Sequence, residues 1–413
     1  MKKRFNLATV AVLMVFVAVA TYMTTYSRLR ADINARMDYM SRIELSTEKF
    51  MSAKNTITNE FIGYCDEEML NGGAVAGMIA ALGDQWSYYM TEEQFAMRTG
   101  ADKSFVGVGV TVSATDSSGY LRLLEVYSGY PADTAGLIPG DLIVAVDGED
   151  VGTLGQGAAL ARMDGEEFTA VALTVRREGR QDFTVTLRRS VVVRPMVLSE
   201  IIDQNLGYIK VNGFETRVGG LFDEALRQIV TAGAGGLIID MRDNPGGDVD
   251  EMRDMLSLLL PTCRLIILQS KNGVEEYKDS EGPAFTDMPV VVLINKDSYS
   301  AAEFFGACLR EYDRAVLVGE PTTGKAYAQK DYRLQDGSGV HLSVMTYLTP
   351  GRVNLAQAGG LSPDKAVIFT DEQRERYRFD RSADTQLAAA VAHLRLSVPS
   401  PDGAELPPDS PEG

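Results

Sequence analysis

A strand that leads directly into a helix, with a serine at the junction, is the feature that most constrains this 413-residue chain. Pro289 to Ile294 is apolar and β-branched, as in a buried strand, and Ala301 to Leu309 is rich in helix formers. Ser300 therefore falls on the turn between them, which exposes its hydroxyl. The first N–H groups of a helix lack intrahelical partners and lie at the positive end of its dipole. The N–H of Ala301 is thus placed to stabilise an oxyanion formed by attack of Ser300.

A serine nucleophile needs a base, and the chain contains only two histidines, His341 and His393. His341 lies in an alternating strand-like run and His393 in an Ala-rich terminal helix, so we interpret both as structural. Lys325 is the remaining choice, because burial in an apolar site lowers a lysine pKa from about 10.4 toward neutrality. Gln329 is the expected orienting group, since an amide carries no charge that would stabilise the ammonium form.

These residues lie in a stretch that resembles the carboxyl-terminal processing peptidases, also called tail-specific proteases. In that family a serine followed by small residues and Glu is the nucleophile, and Gly-Lys with a glutamine four residues on supplies the base and its orienter. The resemblance implies that Ser300, Lys325 and Gln329 are catalytic. Two positions depart from the family pattern: Tyr299, where a small residue is usual, and Ala326, where glycine is usual.

The overall composition indicates a globular protein of two or more domains, with 45% hydrophobic residues. The net charge of -17 and the absence of a basic stripe argue against nucleic acid as a partner, because phosphate binding needs clustered Lys and Arg. Cys65, Cys263 and Cys308 show neither a disulfide framework nor metal-ligand spacing, and we expect them to be buried free thiols. No metal or cofactor is expected.

Residues 1–26 are expected to form a signal sequence or a membrane anchor. Basic residues at positions 2 to 4 precede a nearly unbroken apolar run from Leu7 to Met23. Ala18-Val19-Ala20 is a candidate cleavage site, but the apolar character continues past it, which favours a retained anchor. Either alternative exports the rest of the chain and predicts an extracytoplasmic protein, anchored by one span or secreted.

Residues 27–100 show apolar spacing typical of helices. Gly73 to Met78, followed by Asp84 to Tyr89, resembles the segment that precedes the PDZ domain in the same peptidases. In that family such helices contribute to dimerisation, so the resemblance implies a homodimer. The alternative is that the apolar spacing serves core packing alone.

Residues 101–190 change to short β-type runs with turns, and Phe105 to Val110 resembles the carboxylate-binding loop of a PDZ domain. A terminal carboxylate must meet several backbone N–H groups at close range, and side chains there would block it. Tyr130 to Leu137 and Gly140 to Gly148 strengthen the similarity. The predicted peptide-binding residues are Gly107, Val108, Gly109 and Val110.

The later part of this segment supplies the other side of the peptide groove. Gly155 to Met163 is predicted to be the flanking helix, with Ala159 and Met163 as candidate pocket residues. Phe168-Thr169 stands where Gly-Thr is usual in the family.

Residues 191–382 alternate strands with helices, which predicts βαβ units and a partly parallel sheet. Ligands bind at the carboxyl ends of such strands. The Asp243–Gly247 loop, Ser300 and Lys325 each follow a predicted strand, so all three are expected to converge on one edge. The resemblance implies that the N–H of Gly246 joins that of Ala301 as an oxyanion donor. Residues 383–397 are predicted to form a C-terminal helix and 398–413 a disordered acidic tail.

The predicted fold class is therefore α/β multidomain, with a helical N-terminal region, a PDZ domain and an αβ serine protease core. The predicted function is an exported serine endopeptidase that binds protein C-terminal tails in its PDZ groove and hydrolyses peptide bonds. One alternative is a non-catalytic PDZ scaffold on a degenerate protease domain, which the bulk of Tyr299 would favour. Another is an acyl-CoA-type enzyme on a related αβ core, which leaves the PDZ domain and the Ser–Lys pair unexplained.

Overall fold

The computed structural model describes residues 7–99, 105–113 and 119–398. The basic residues at positions 2–4, the first four residues of the predicted PDZ domain and residues 399–413 of the predicted tail lie outside this range. The chain divides after Thr91 into two compact units.

The first unit consists mainly of helices: α1 (Leu7–Glu60), α2 (Glu67–Ala80) and a short strand β1 (Tyr88–Met90). The N-terminal part of α1 has a mean hydropathy of 1.7, so this helix is long and apolar enough to cross a membrane. The same helix continues through residue 26 without a break. The predicted limit between the leader and the helical region is therefore not a change of secondary structure.

The region predicted to be a PDZ domain is a sheet with short helices on it. Its elements follow a lead-in helix α3 (Glu92–Thr99) and are β2 (Phe105–Gly107), β3 (Val110–Ser113), β4 (Leu121–Val126), α4 (Pro131–Thr134), β5 (Leu142–Val146), β6 (Glu149–Asp150), α5 (Val151–Leu154), α6 (Gln156–Met163), β7 (Ala170–Arg176), β8 (Phe183–Arg188) and β9 (Ser190–Val192). The antiparallel sheet has the order β3-β4-β5-β7-β8, with β6 on β5, and β2 pairs separately with β9. Its apolar faces close over one hydrophobic cluster.

The next region is an αβ core built on a largely parallel sheet. Its elements are β10 (Val197–Ile202), β11 (Leu206–Val211), α7 (Val218–Thr231), β12 (Gly236–Asp240), α8 (Val249–Ser257), β13 (Arg264–Ser270), β14 (Glu275–Asp279), β15 (Val290–Ile294), α9 (Ala301–Glu311), β16 (Ala315–Gly319), β17 (Tyr327–Arg333), β18 (Gly339–Leu348), α10 (Leu355–Ala358), β19 (Lys365–Ala366), α11 (Asp371–Arg376), a 3₁₀ turn (Arg381–Ala383) and α12 (Thr385–Leu394). The order β10-β11-β12-β15-β16-β19 is parallel except for β10, as the partly parallel prediction requires.

Both faces of this sheet are buried at its central strands β12, β15 and β16, which explains why these strands are almost wholly apolar rather than alternating. Val290, Val292 and Ile294 of β15 face a cluster that includes α7, α8 and α9. Val291 and Leu293 face the opposite cluster, which includes α12. The parallel strands end along one edge, so the loops after β12, β15 and β16 share that edge of the sheet.

A second, antiparallel sheet flanks the core, with β17 and β18 paired as a hairpin and β18 joined to β13 and then β14. The hairpin turns at Asp336-Gly337, as that dipeptide predicts. The register of β17 against β18 shifts between Ala328 and Gln329, which indicates a bulge just after Lys325.

The structure corrects two predictions, one about the start of the C-terminal tail and one about the burial of the cysteines. Val398, predicted to be the first residue of a disordered acidic tail, is 6% exposed and packs beside Leu394 of α12. Cys308 is buried as predicted and donates its Sγ–H to the carbonyl of Leu265, but Cys65 and Cys263 are only half-buried. Both outcomes depend on long-range packing, which local composition does not report.

Removing the Phe305 ring is expected to lower the free energy of unfolding by about 3–5 kcal/mol, because the cavity left in a fully buried site adds to the lost transfer free energy. Phe305 is 0% exposed, and its ring centroid lies 6.2 Å from that of Phe214. Guanidinium denaturation of Phe305→Ala, followed by circular dichroism, measures the change. Ile368→Ala is the control, since Ile368 is 62% exposed and its truncation should change stability by less than about 0.5 kcal/mol. Equal effects of the two substitutions would contradict the packing described here.

Candidate active site

Ser300 lies between the end of β15 at Ile294 and the start of α9 at Ala301. Its backbone has φ +59° and ψ -126°, a conformation that non-glycine residues rarely adopt. A residue held there needs support from its surroundings, and such strain is common at functional sites. The strand–turn–helix placement predicted from the sequence is therefore present, with the serine half-buried at the junction.

The carboxylate of Glu303, in the first turn of α9, ties Ser300 to Lys325. Its Oε2 accepts hydrogen bonds from the backbone N–H groups of Ser300 and Lys325, each at 2.8 Å. Its Oε1 accepts from the N–H of Gly324 at 2.7 Å and from the hydroxyl of Thr322. Burial raises the pKa of Glu303, and these hydrogen bonds oppose the rise. Two segments far apart in sequence thus meet at one buried carboxylate.

The side chain of Lys325 is half-buried and lies against an aromatic ring. Its Nζ is 5.6 Å from the centroid of the Tyr299 ring, within the range of a cation–π contact. The residue at position 299, where the family usually has a small side chain, is therefore in direct contact with the predicted base.

The two predicted oxyanion donors differ in their hydrogen bonding. In the part of the chain that the structure describes, the N–H of Ala301 has no hydrogen-bond acceptor, as expected at the first position of a helix. The N–H of Gly246 instead donates to Oδ1 of Asn244 at 2.8 Å. Gly246 adopts φ +83°, and a Cβ there would lie 2.7 Å from Cβ of Ser300. Only glycine therefore lets this loop approach the serine so closely.

Gln329 lies on β17, four residues beyond Lys325, and is half-buried. Its Nε2 donates to Oγ of Ser343 on β18 at 3.2 Å. Because the amide nitrogen is used in that contact, the amide oxygen is the atom with which Gln329 can accept from an ammonium group. Ser343 was not singled out from the sequence.

His341 lies on β18, as predicted, and belongs to a polar cluster. Its Nδ1 is 2.6 Å from Oδ1 of Asp331, and Arg98 contacts both residues. Burial lowers the pKa of His341, the Asp331 carboxylate raises it, and the charges of Arg98 and Lys325 lower it further. Asp331 and His341 pair two residues along the same hairpin from Gln329 and Ser343, so this cluster borders the candidate site.

The loops that carry Gly246 and Ser300 are joined behind the site by polar side chains. The N–H of Asp243 donates to Oδ1 of Asn295 at 3.0 Å, and the N–H of Asn295 donates to Oγ of Ser298 at 3.0 Å. The Asp243 carboxylate accepts from Tyr377 and Arg378. These contacts fix the loop after β12 against the loop after β15.

Acidification is expected to weaken the fold through Asp243. Burial would raise the pKa of this carboxyl, but the positive charges of Lys210 and Arg378 lower it below its ordinary value. A lowered folded-state pKa stabilises the protein above the unfolded-state pKa, and this stabilisation is lost as pH falls through the folded-state pKa. Denaturation midpoints at about pH 7 and about pH 3 should therefore differ less in Asp243→Asn than in wild type. Asp287 is exposed, so Asp287→Asn is the control. If the difference between the two midpoints in Asp243→Asn equals that in wild type, Asp243 does not account for the loss of stability in acid.

The predicted peptide-binding loop joins β2 to β3. The carbonyl groups of Val108 and Gly109 accept from Ala132 and Tyr127, while the N–H groups of Val108 and Gly109 have no acceptor within residues 7–99, 105–113 and 119–398. Gly109 has φ +82°, and a Cβ there would lie 2.3 Å from Cβ of Tyr130. The loop backbone therefore requires glycine at this position.

The side chains around this loop are largely buried in the hydrophobic cluster of the domain and do not line an open pocket. Val108 is 2% exposed and belongs to the domain's hydrophobic cluster, as do Ala159 and Met163 of α6. Val110 is partly buried against the same cluster, and Gly107 is buried. Phe168 has φ +64°, which explains why glycine is favoured at that position in the family.

Glu303 is the main functional candidate that the sequence reasoning left without a role. Its signal was present, because Ser300-Ala301-Ala302-Glu303 is the Ser-x-x-Glu pattern of a helix capping box. Asn244 lies in the Asp243–Gly247 loop that the sequence predicts at the site, but its bond to Gly246 was not predicted. The Asn-Pro-Gly spacing favours such a side-chain turn.

Comparison with known families agrees with this architecture. The model of peptidase family S41 matches residues 205–367, and that of the PDZ domain matches residues 123–177. The model of the N-terminal domain of the activating protease CtpB matches residues 9–94.

Individual proteins extend the similarity over most of the chain. A carboxyl-terminal-processing protease of Synechocystis is 32% identical, covering 81% of this chain and 81% of that protein. The carboxy-terminal processing protease CtpA of Bacillus subtilis is 31% identical, covering 85% and 76%. The crystal structure of a candidate S41 protease from Bacteroides fragilis superposes with a TM-score of 0.61 at 19% identity, covering 82% of this chain and 92% of that one, and supports the fold.

The αβ core, the PDZ domain and these matches define a serine peptidase that carries a PDZ domain. The chain belongs to the carboxyl-terminal processing proteases of peptidase family S41. The predicted family, fold class and enzyme class are thereby confirmed.

Proposed function

We propose that this peptidase is an exported endopeptidase in which Ser300 is the nucleophile, Lys325 the base and Gln329 its orienting group. The observation that carries the proposal is the convergence of the Ser300 and Lys325 backbones on Oε2 of Glu303. The N–H of Ala301 lies beside the serine at the start of α9. The predicted domain limits remain part of this proposal, except that Val398 belongs to the packed C-terminal region and not to the tail.

The chemistry follows from these groups. Oγ of Ser300 attacks the scissile carbonyl carbon, and its proton passes to the neutral amine of Lys325. The N–H of Ala301 stabilises the resulting oxyanion. The Lys325 ammonium then protonates the leaving amine, and the peptide C–N bond breaks to leave an acyl-enzyme on Ser300. Water then attacks the ester carbonyl carbon while the Lys325 amine takes one of its protons. The Lys325 ammonium returns this proton to Oγ of Ser300 as the C–Oγ bond breaks, and the carboxylic acid product leaves.

Two further groups have supporting roles in this proposal. Gln329, whose amide nitrogen is held by Ser343, presents its oxygen to the Lys325 amine. Gly246 supplies the second oxyanion donor when its N–H is shared between Asn244 and the substrate oxygen. A shared N–H is compatible with the close approach of Gly246 to Ser300.

Cleavage of an unstructured protein such as casein by the purified full chain tests the proposal. Wild type should cleave, and Ser300→Ala should reduce the rate to background while keeping the fold. Binding of apolar-tailed peptides without any turnover by wild type would instead support the non-catalytic scaffold. A CoA-dependent activity would support the acyl-CoA alternative.

We infer that the PDZ loop binds the C-terminal carboxylate of substrate tails through the N–H groups of Val108 and Gly109, with Gly107 and Val110 completing the loop. The absence of an acceptor for those two N–H groups within the described residues supports this role. Fluorescence anisotropy should show weaker binding for a peptide with an amidated C-terminus than for the same peptide with a free carboxylate. Equal affinities would contradict carboxylate recognition.

We propose that α1 anchors the protein in a membrane and that the catalytic region lies on the extracytoplasmic side. The apolar N-terminal part of α1 and the basic residues before it support this topology. The full chain in cells should resist carbonate extraction and be digested by protease added outside the cytoplasm. Recovery in the soluble fraction would favour the cleaved-leader alternative.

We further propose that α1 pairs with α1 of a second copy. Beyond the apolar segment, exposed apolar side chains recur at intervals of three, four or seven residues, as in a coiled-coil seam. They are Tyr26, Leu29, Ile33, Met40, Ile43, Phe50 and Ile57. Light scattering of the detergent-solubilised chain should give the mass of a dimer, and Ile33→Glu with Ile43→Glu should give a monomer.

A further inference from the structure

The contact between Lys325 and Tyr299 is built from fixed parts. The N–H of Tyr299 donates to the carbonyl of Asn244 at 3.1 Å, and its carbonyl accepts from Ala302 at 3.3 Å. The backbone of Lys325 is held by Glu303. The ring and the amine are thus presented to each other from two anchored loops, with Nζ 5.6 Å from the ring centroid.

An aromatic face attracts a cation but has no comparable attraction for a neutral amine. The Tyr299 ring therefore favours the ammonium form of Lys325 over the free base. In the proposed mechanism this positive charge develops when Lys325 takes the proton of Ser300. The same contact that retains a proton on the resting base also stabilises the charge that forms during attack.

We propose that Tyr299 is a positioning residue for Lys325, and that its ring sets both the pH above which the Ser–Lys pair becomes active and part of the rate reached there. The inference rests on the proposed function, because it requires Lys325 to be the base.

Other titratable groups near Tyr299 and Lys325 each affect a different part of this pair. In the described part of the chain, Asp297 acts on Tyr299, Glu303 binds the backbone of Lys325, and His341 is within electrostatic reach of Lys325. Burial raises the pKa of Tyr299, and Asp297 raises it further, so the phenol stays neutral below the ordinary titration range of tyrosine. The pKa of His341 is lowered from its ordinary 6.5 by burial, despite the opposing effect of Asp331. An activity limb between neutral pH and about 10, the ordinary pKa of tyrosine, is therefore attributable to neither side chain.

The pH dependence of kcat/KM and kcat for the full chain, with a fluorogenic peptide as substrate, tests the inference. Tyr299→Leu keeps an apolar side chain but removes the aromatic face. The acidic limb of its pH–rate profile should move to lower pH by about 0.5 to 1 unit, the size expected for one cation–π contact. Because a less basic amine accepts a proton less readily, its plateau kcat should fall about two- to fivefold. Tyr299→Phe keeps an aromatic face, so both the position of its acidic limb and its plateau kcat should stay close to those of wild type.

A matched control exists on β17, where Nζ of Lys330 lies 5.6 Å from the centroid of the Tyr332 ring. Tyr332→Leu removes the same kind of contact on exposed residues and should leave the pH profile unchanged. A purely structural role for Tyr299 would lower the plateau of Tyr299→Leu without moving its limb, and would overturn the inference. So would a shift of equal size in Tyr299→Phe, since the hydroxyl would then be responsible.

Further variants distinguish a failure of the proposed function from a failure of this inference. If Ser300→Ala or Lys325→Met still cleaves, the proposed function itself fails, whatever the Tyr299 variants do. If Tyr299→Leu does not fold by circular dichroism, Tyr299→Trp decides the matter, because the indole face binds cations better than the phenol. Its limb should move to higher pH, and a limb that stays or moves down would overturn the inference.

Discussion

Lys325→Met is expected to lower kcat about 10³- to 10⁴-fold, the contribution of a positioned general base. Methionine keeps much of the apolar stem of lysine but cannot accept the proton of Ser300. The backbone N–H of residue 325, which binds Glu303, is kept in the variant, so the loop should remain in place. Initial rates of peptide cleavage, with circular dichroism to confirm folding, measure the effect.

The matched control is Lys330→Met. Lys330 is exposed, lies five residues beyond Lys325 and also has its Nζ over a tyrosine ring. Its rate should stay within about twofold of wild type. If Lys325→Met retained more than about one tenth of the wild-type rate, lysine would not be the base and the Ser–Lys mechanism would be wrong.

Glu303→Gln should produce the second large effect, a fall in kcat of about 10²- to 10³-fold, comparable with the loss of one oxyanion-hole donor. The carboxylate accepts from the N–H groups of Ser300, Gly324 and Lys325 and from the Thr322 hydroxyl. An amide presents an NH₂ group where one carboxylate oxygen stood, so donors would face each other. At least one buried N–H would lose its acceptor, at about 1–3 kcal/mol of stability.

Steady-state kinetics should show this loss mainly in kcat, because Glu303 is fully buried and acts on the backbones of Ser300 and Lys325 rather than on substrate. Glu224→Gln, on the exposed surface of α7, is the control and should leave kcat and stability unchanged. A normal kcat in a folded Glu303→Gln variant would show that the shared carboxylate does not position the Ser–Lys pair.

The strand and helix around Ser300 could be predicted because their signals are local. An apolar β-branched run and a set of helix formers specify β15 and α9 almost to the residue. The convergence of the three loops also followed from topology, since parallel strands end on one edge. The lack of a suitably placed histidine favoured Lys325 as the base, and the family resemblance implied the same proposed roles for Lys325 and Gln329.

The remaining features depend on contacts between distant segments. The bonds from Glu303 to Gly324 and Lys325, and the position of the Lys325 amine over Tyr299, span more than twenty residues of sequence. The bond from Gly246 to Asn244 is local, yet it competes with the oxyanion role that the resemblance implied. Burial of Val398 likewise reflects a partner surface formed by α12 and the core sheet.

Covalent labelling of the full chain with a fluorophosphonate probe tests the central claim most directly, because such probes react with activated serine hydroxyls. Peptide mapping by mass spectrometry should find the adduct on Ser300 in a preparation that cleaves peptide. The labelling rate should rise with pH as Lys325 loses its proton, and Lys325→Met should abolish labelling. An adduct on another serine, or equal labelling of Ser300 without Lys325, would contradict the account.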